Sequence, residues 1–174
     1  MEPGFLISSP QMSDGNFART VVLLVHHSEE GALGLVLNRP HRVKLGEVQL
    51  PGTPRPSLAR QQALWGGPVE PSVGFVIFRG RCEEGWELPG GIGVSASLDR
   101  LSTLLASGAP FHLCLGYAGW GKGQLDQEFE SGSWVHSEAH PELIFGCPAE
   151  TCYDLALAKM GLSASSLWMN PVDE

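Results

Sequence analysis

The last third of the chain is nearly bare of positive charge. Residues 124–174 hold nine acids (Asp126, Glu128, Glu130, Glu138, Glu142, Glu150, Asp154, Asp173 and Glu174) against Lys159 alone. Residues 1–123 balance ten acids with ten Lys and Arg, so the whole net charge of −8 sits in that final third. Non-specific affinity for nucleic acid comes from Lys and Arg neutralising phosphates. A surface of this kind repels duplex DNA, and no Arg- and Lys-rich helix is present to enter a groove. Direct nucleic-acid binding is therefore disfavoured. The one basic cluster, Arg39, His41, Arg42, Lys44, Arg55 and Arg60 opposed by Glu47, reads as a solvated loop.

Paired cysteines are also missing. Cys82, Cys114, Cys147 and Cys152 form no Cys-x-x-Cys motif, which excludes a legible zinc ribbon or thioredoxin-type redox site. Cys114 lies in an apolar strand pattern and Cys152 on the apolar side of a helical one, where buried thiols are common. No apolar run approaches the roughly 20 residues that span a bilayer. The early run over residues 21–25 follows Arg19 and is too short for a secretory leader. These features predict a reduced, cytoplasmic protein without a membrane segment.

Spacings that carry chemistry are scarce. His136 and His140 flank Glu138, with Glu142 beyond, but Pro141 argues against the helix that would bring them to one metal. His26 and His27 point to opposite faces of a strand. The segment Gly93-Val94-Ser95-Ala96-Ser97 lacks the second glycine of a nucleophile elbow, and Ser97 reads better as a helix cap. Neither a metal, a cofactor nor a catalytic set is predicted.

Glycine and proline are plentiful instead, 22 and 13 residues, which favours many turns and short strands over a helical bundle. Residues 20–27 and 32–38 are apolar, β-branched runs joined by a linker ending in Gly31, a hairpin signal. Residues 41–63, with three prolines, read as an irregular excursion with a turn of helix near 45–48. Strands are expected at 73–78, 87–88, 92–95, 111–115, 133–135 and 143–145. Helices are expected at 97–107, capped by Ser97 and ended by Gly108, and around Leu125 and Phe129. A third runs from Pro148 to Lys159 and ends at Gly161. Without strict strand–helix alternation, this predicts an α+β fold with a largely antiparallel or mixed sheet in one domain, residues 1–174.

The most informative stretch is residues 113–126, where an apolar strand passes through a glycine-rich segment into a polar helix. It reads as a strand-to-helix turn presenting backbone N–H groups. Its Gly116-x4-Gly121-Lys122 spacing matches a phosphate-binding loop. Gly123, however, replaces the Ser or Thr that would ligate magnesium, and Tyr117 and Trp120 crowd the cradle. Lys122 is expected to be exposed.

Several blocks occur together: Phe5-Leu6-Ile7-Ser8-Ser9-Pro10-x-Met12, Asn16-Phe17-x-Arg19-Thr20, Gly34-Leu35-Val36-Leu37-Asn38-Arg39-Pro40, Gly66-Gly67-Pro68-Val69 and Gly116-Tyr117-Ala118-Gly119-Trp120. In this order, over residues 5–161, the chain resembles the YqgE/AlgH family of small bacterial proteins. The resemblance implies a bifurcated sheet curled into a pseudo-barrel with flanking helices, and no established activity. The family's label of transcriptional regulator rests on association. The resemblance also points to a binding surface at Asn38, Arg39, Gly66, Gly67, Pro68, Tyr117, Trp120, Gln124 and Leu125, and Pro40, Gly119 and Glu128 extend the expected surface. The chain departs from the family at Lys122, where proline is usual, and at Ile77-Phe78, where Leu-His is common. It also departs at Trp168-Met169-Asn170-Pro171, which lacks the usual ending. The expected role is binding a protein partner or small ligand. The alternatives are a hydrolase-like site at Asn38, Arg39, Tyr117 and Glu128, and a DNA-binding regulator.

Overall fold

The structure, a computed structural model, describes residues 1–12 and 14–162; the Trp168–Pro171 motif lies outside them. Its ten strands are β1 (Gly4–Ser8), β2 (Val21–Ser28), β3 (Gly31–Val36), β4 (Pro40–Lys44), β5 (Gln62–Trp65), β6 (Val69–Arg79), β7 (Trp86–Leu88), β8 (Ile92–Ser95), β9 (Phe111–Trp120) and β10 (Trp134–Ser137). The helices are α1 (Pro56–Ala59), α2 (Leu98–Ser107), α3 (Gln124–Glu130), α4 (Pro141–Gly146) and α5 (Ala149–Lys159). The strands join in the order β10-β1-β2-β3-β9-β6-β8-β7, with β5 branching from β9 and β4 pairing β5. Every pairing is antiparallel except β5 with β9. The α+β class and the bifurcation are as expected, and the sheet does not close.

The branch point is β9. Along one edge it pairs β6; the other edge is shared by β5, at Cys114 and Leu115, and β3, at Ala118 to Trp120. Residues of a strand alternate between the faces of a sheet. Here Phe111 and Leu113 belong to a cluster with Leu101, Leu104 and Leu105 of α2, while Cys114 faces a second cluster under α4 and α5. Beyond Gly116 the phase changes: Tyr117 packs on the α4–α5 side, and Ala118 and Trp120 join a third cluster with Leu125 and Trp134. Gly116 has φ +78°, a left-handed conformation open to glycine, and the β6 register breaks between Val69 and Gly74 opposite it. The extra residues lie on β6, and the left-handed Gly116 turns the end of β9 onto a different layer.

That crossing also needs Gly66 and Gly67. A Cβ on Gly67, whose φ is +155°, would strike the backbone of Tyr117, and one on Gly66 would strike the Gly116 carbonyl. The Gly66 N–H donates to the Leu115 carbonyl at 2.9 Å, and its own carbonyl accepts from the Val36 N–H at 2.8 Å. The two glycines let β3, β5 and β9 approach as bare backbone.

Much of the local reading holds. β2 and β3 form the hairpin, with Val21 to Val25 buried on both faces. The Ser97 hydroxyl caps α2 by accepting from the Arg100 N–H at 3.3 Å, and Gly108 ends that helix at φ +77°. Four readings are corrected. Residues 143–145 lie in α4, because Pro141 suits a first helical turn and three apolar residues are too few to decide between helix and strand. Residues 116–120 continue β9 and do not form a turn. The excursion over 41–63 carries β4, α1 and β5 besides the turn at Leu45–Glu47. Phe129, expected on the buried side of α3, is 42% exposed, and Leu125 alone anchors that helix.

Gly67→Ala is expected to lower stability by at least about 2 kcal/mol in denaturant unfolding, since the new methyl meets backbone that cannot swing aside. Gly146→Ala, where a Cβ meets nothing within 4 Å, is expected to stay within about 0.5 kcal/mol of the parent.

Candidate functional site

After Trp120 the chain turns through Gly121, Lys122 and Gly123, and Gly123 at φ +72° leads directly into α3. The Gln124 side chain closes the turn by accepting from the Gly121 N–H at 3.0 Å. The turn thus satisfies one of its own donors, and Lys122 is exposed beside it. α3 then sets Gln124 and Glu128 one turn apart, where side chains meet. The Gln124 amide donates to Glu128 Oε2 at 2.9 Å.

Glu128 is the hub of this corner. Its Oε1 accepts from the Trp120 indole N–H at 3.0 Å and from the Trp134 indole N–H at 2.9 Å. Trp134 opens β10, the sheet edge, so this carboxylate ties α3 to the ends of β9 and β10. Phe17 completes the group. Its ring lies 6.2 Å from Trp120 and 5.8 Å from Trp134, and the two indoles are 6.0 Å apart. Phe17, Trp120, Trp134, Gln124, Glu128 and Asp14 line a cavity of about 190 Å³. Among the described residues, no Lys, Arg or His forms an ion pair with Glu128.

Arg39 acts on this cavity from behind. Its guanidinium donates to the carbonyls of Gly15 and Ala18, each at 2.9 Å, and lies over the Trp65 ring at 5.5 Å. These bonds hold the segment that carries Phe17. Burial lowers the Arg39 pKa, while the nearby Asp14 carboxylate pushes it up. Asn38 is similarly engaged: its carbonyl accepts from the Val21 N–H and its amide donates to the Arg19 carbonyl, both at 2.9 Å. Pro40 stands opposite Leu64 in the β4–β5 pair, and Pro68 is exposed beside the buried Gly66 and Gly67.

The expected surface therefore divides. Gly119, Trp120, Gln124 and Glu128 meet around the cavity, with Leu125 buried beneath them. Gly66 and Gly67 touch β9 through backbone, and Asn38 and Arg39 brace the chain behind. Tyr117 faces away, its ring edge-on to Phe75 at 5.9 Å on the other side of the sheet. Asn38, Arg39, Tyr117 and Glu128 consequently share no hydrogen-bond partner, and the hydrolase-like grouping has no common point. His136 and His140 do not share a helix: the first lies in β10 with its ring bonded to the Glu2 carbonyl, and the second stands just before the first residue of α4. Among the described residues no three His, Cys, Asp or Glu side chains gather as metal ligands. Burial pushes the Cys114 and Cys152 thiols up to about 12, far from a nucleophile's range.

Sequence reasoning missed Phe17, Trp134, Asp14 and Met12 as cavity residues. Phe17 and Met12 stood in the quoted blocks, but nothing local links them to Glu128. A second cavity of about 240 Å³ lies between Val48 and Leu50, β6 and the start of α2. It is lined by no titratable side chain and by none of the expected residues.

The AlgH-like family model matches residues 5–165. The chain belongs to the AlgH-like family. A UPF0301 protein of Ralstonia nicotianae is 40% identical over 171 residues, covering 94% of this chain and 90% of that one. A UPF0301 protein of Myxococcus xanthus is 40% identical over 174 residues, covering 97% and 96%. The solution structure of AlgH from Pseudomonas aeruginosa superposes with a TM-score of 0.77 at 36% identity, over 94% of this chain and 90% of AlgH. A crystal structure from Corynebacterium diphtheriae gives 0.74 at 25% identity, over 91% and 87%. This AlgH-like chain thus shares its fold with both, and none of these relatives carries a named reaction.

Asn38→Ala is expected to cost about 1–3 kcal/mol, because it strands the Val21 N–H and the Arg19 carbonyl. Lys122→Ala is expected to change stability by less than about 0.5 kcal/mol. Urea unfolding of both variants beside the parent checks the contrast.

Proposed function

We propose that this protein is a binding module of the cytoplasm, acting in regulation through a small ligand or partner held at the Trp120–Glu128–Trp134 corner and not through chemistry of its own. The observation that carries this reading is the assembled carboxylate. Glu128 takes two indole donors and one amide donor at the wall of a formed cavity, using side chains from three separate elements. Sites that fix a ligand are commonly apolar-walled concavities with a few placed polar groups.

A catalytic reading would need a nucleophile with its base at the cavity. Ser133 lines the cavity, its hydroxyl meets the Ser131 hydroxyl at 3.3 Å, and among the described residues no imidazole lines the same space. The acidic final third supports a role without direct contact to nucleic acid. Four free thiols support a reducing compartment.

Titration of isotope-labelled protein with a panel of small charged and neutral compounds tests the reading. Hits are expected to move the indole N–H resonances of Trp120 and Trp134 first. Hits that cluster instead around Leu98 and Leu113, leaving both indoles unmoved, would transfer the site to the second cavity and overturn it.

A further inference from the structure

We propose that Cys147 and Cys152 form a reversible thiol–disulfide switch at the junction of α4 and α5, oxidised by a hydroperoxide that Cys147 meets first. The pair packs in the core cluster under α4 and α5, apart from the layer that holds Trp120 and Trp134.

The start of α5 brings the two thiols together. Pro148 is the N-cap of that helix, so Cys147 is the residue before the cap and Cys152 the fourth residue of the helix. Apolar side chains at these two places pack on each other across the first turn and fix the angle at which the chain enters. Here both are thiols. The Cys147 sulfur lies 3.5 Å from the hydroxyl of Thr151, the neighbour of Cys152, and its thiol donates to the Pro148 carbonyl at 3.5 Å. Burial pushes the Cys152 thiol up to about 12, and the adjacent Cys147 thiol adds to the rise.

Exposure then assigns the roles. Cys82, Cys114 and Cys152 are all 3% exposed or less, whereas Cys147 is half-buried. A peroxide in solvent therefore reaches Cys147 before any other thiol. The Cys147 thiolate attacks one oxygen of hydrogen peroxide and the O–O bond breaks. The far oxygen leaves with the electron pair and takes up the proton that Cys147 released, forming water and a sulfenic acid. The Cys152 sulfur next attacks the sulfenic sulfur. The S–O bond breaks, and the departing hydroxide takes the Cys152 proton as a second water. Two thiols lose two electrons in all, and one peroxide gains them. A thiol that stays protonated suits the second role, since it reacts only where a leaving hydroxide beside it removes its proton.

The bridge spans only residues 147–152. So short a loop gains less chain-entropy stabilisation than a long one, which keeps the bond reducible. Disulfides of a reducing compartment are mostly transient and redox-sensing, the use that this bridge fits.

Peptide mapping by mass spectrometry after brief treatment with hydrogen peroxide tests the inference. The protein is unfolded, alkylated with iodoacetamide and cut with trypsin. Cleavage after Lys122 and Lys159 leaves Cys147 and Cys152 on one peptide, separate from Cys82 and Cys114. In the parent this peptide is expected to lose two hydrogens and to resist alkylation until dithiothreitol is added, while Cys82 and Cys114 stay alkylated. Cys147→Ser is expected to slow oxidation of Cys152 at least about tenfold, because a buried thiol is then left without its accessible partner. Cys152→Ser is expected to leave Cys147 as a sulfenic acid that dimedone traps. Should Cys152→Ser not fold, the parent and Cys147→Ser carry the test. A parent peptide that gains oxygen while Cys152 remains alkylated would overturn the inference, as would a bridge joining two copies through Cys147. Oxidation of Cys152 at the parent's rate in Cys147→Ser, or no reaction of either thiol, would overturn it equally.

Discussion

A strand with three neighbours cannot keep both its edges and its faces in one simple pattern, and β9 has three. It pairs β6 along one edge and divides the other between β5 and β3. The conflict is resolved at Gly116, where a left-handed residue shifts the side-chain phase, and at Gly66 and Gly67, where bare backbone fits against bare backbone. The rest of the molecule depends on this crossing. Before it, β9 serves the layers under α2 and α4–α5; after it, β9 delivers Trp120 to the layer that holds Leu125 and Trp134.

From that crossing the candidate site follows with few further choices. Trp120 ends the strand, a three-residue turn reverses the chain, and seven helical residues set Glu128 back over the indole. Trp134 arrives at the sheet edge through the β10–β1 pair. An indole N–H buried without an acceptor costs about 1–3 kcal/mol, so two such groups make one shared carboxylate favourable even where it is partly withdrawn from water. Arg39 supports the arrangement indirectly, by fixing the segment that bears Phe17. The arginine expected at a binding surface thus contributes to the site as a brace.

How much of this was legible in the sequence differs by element. α2 was, because Ser97 and Gly108 are local signals that act on their own neighbours. The β2–β3 hairpin was too, since its apolar runs and Gly31 lie within one stretch. The glycine segment at 116–121 was misread as a turn. Glycine permits a positive φ, but only a distant partner, here Gly66-Gly67, shows whether that φ closes a turn or kinks a strand. Within the candidate site, Trp120, Gln124 and Glu128 were found because they sit in one run. Phe17 and Trp134 were not, since their places follow from a strand order that local periodicity does not encode. Tyr117 was grouped with Trp120 by proximity in sequence, and the phase shift at Gly116 separates them.

One carboxylate, Glu128, holds both indoles at this corner. Hydrogen exchange of the Trp120 and Trp134 indole N–H groups tests it most directly, comparing the parent with Glu128→Ala. Both protons are expected to be protected in the parent and to exchange much faster in the variant, while the backbone amides of β9 keep their protection. Rapid exchange of either indole in the parent, or protection unchanged by the substitution, would contradict it.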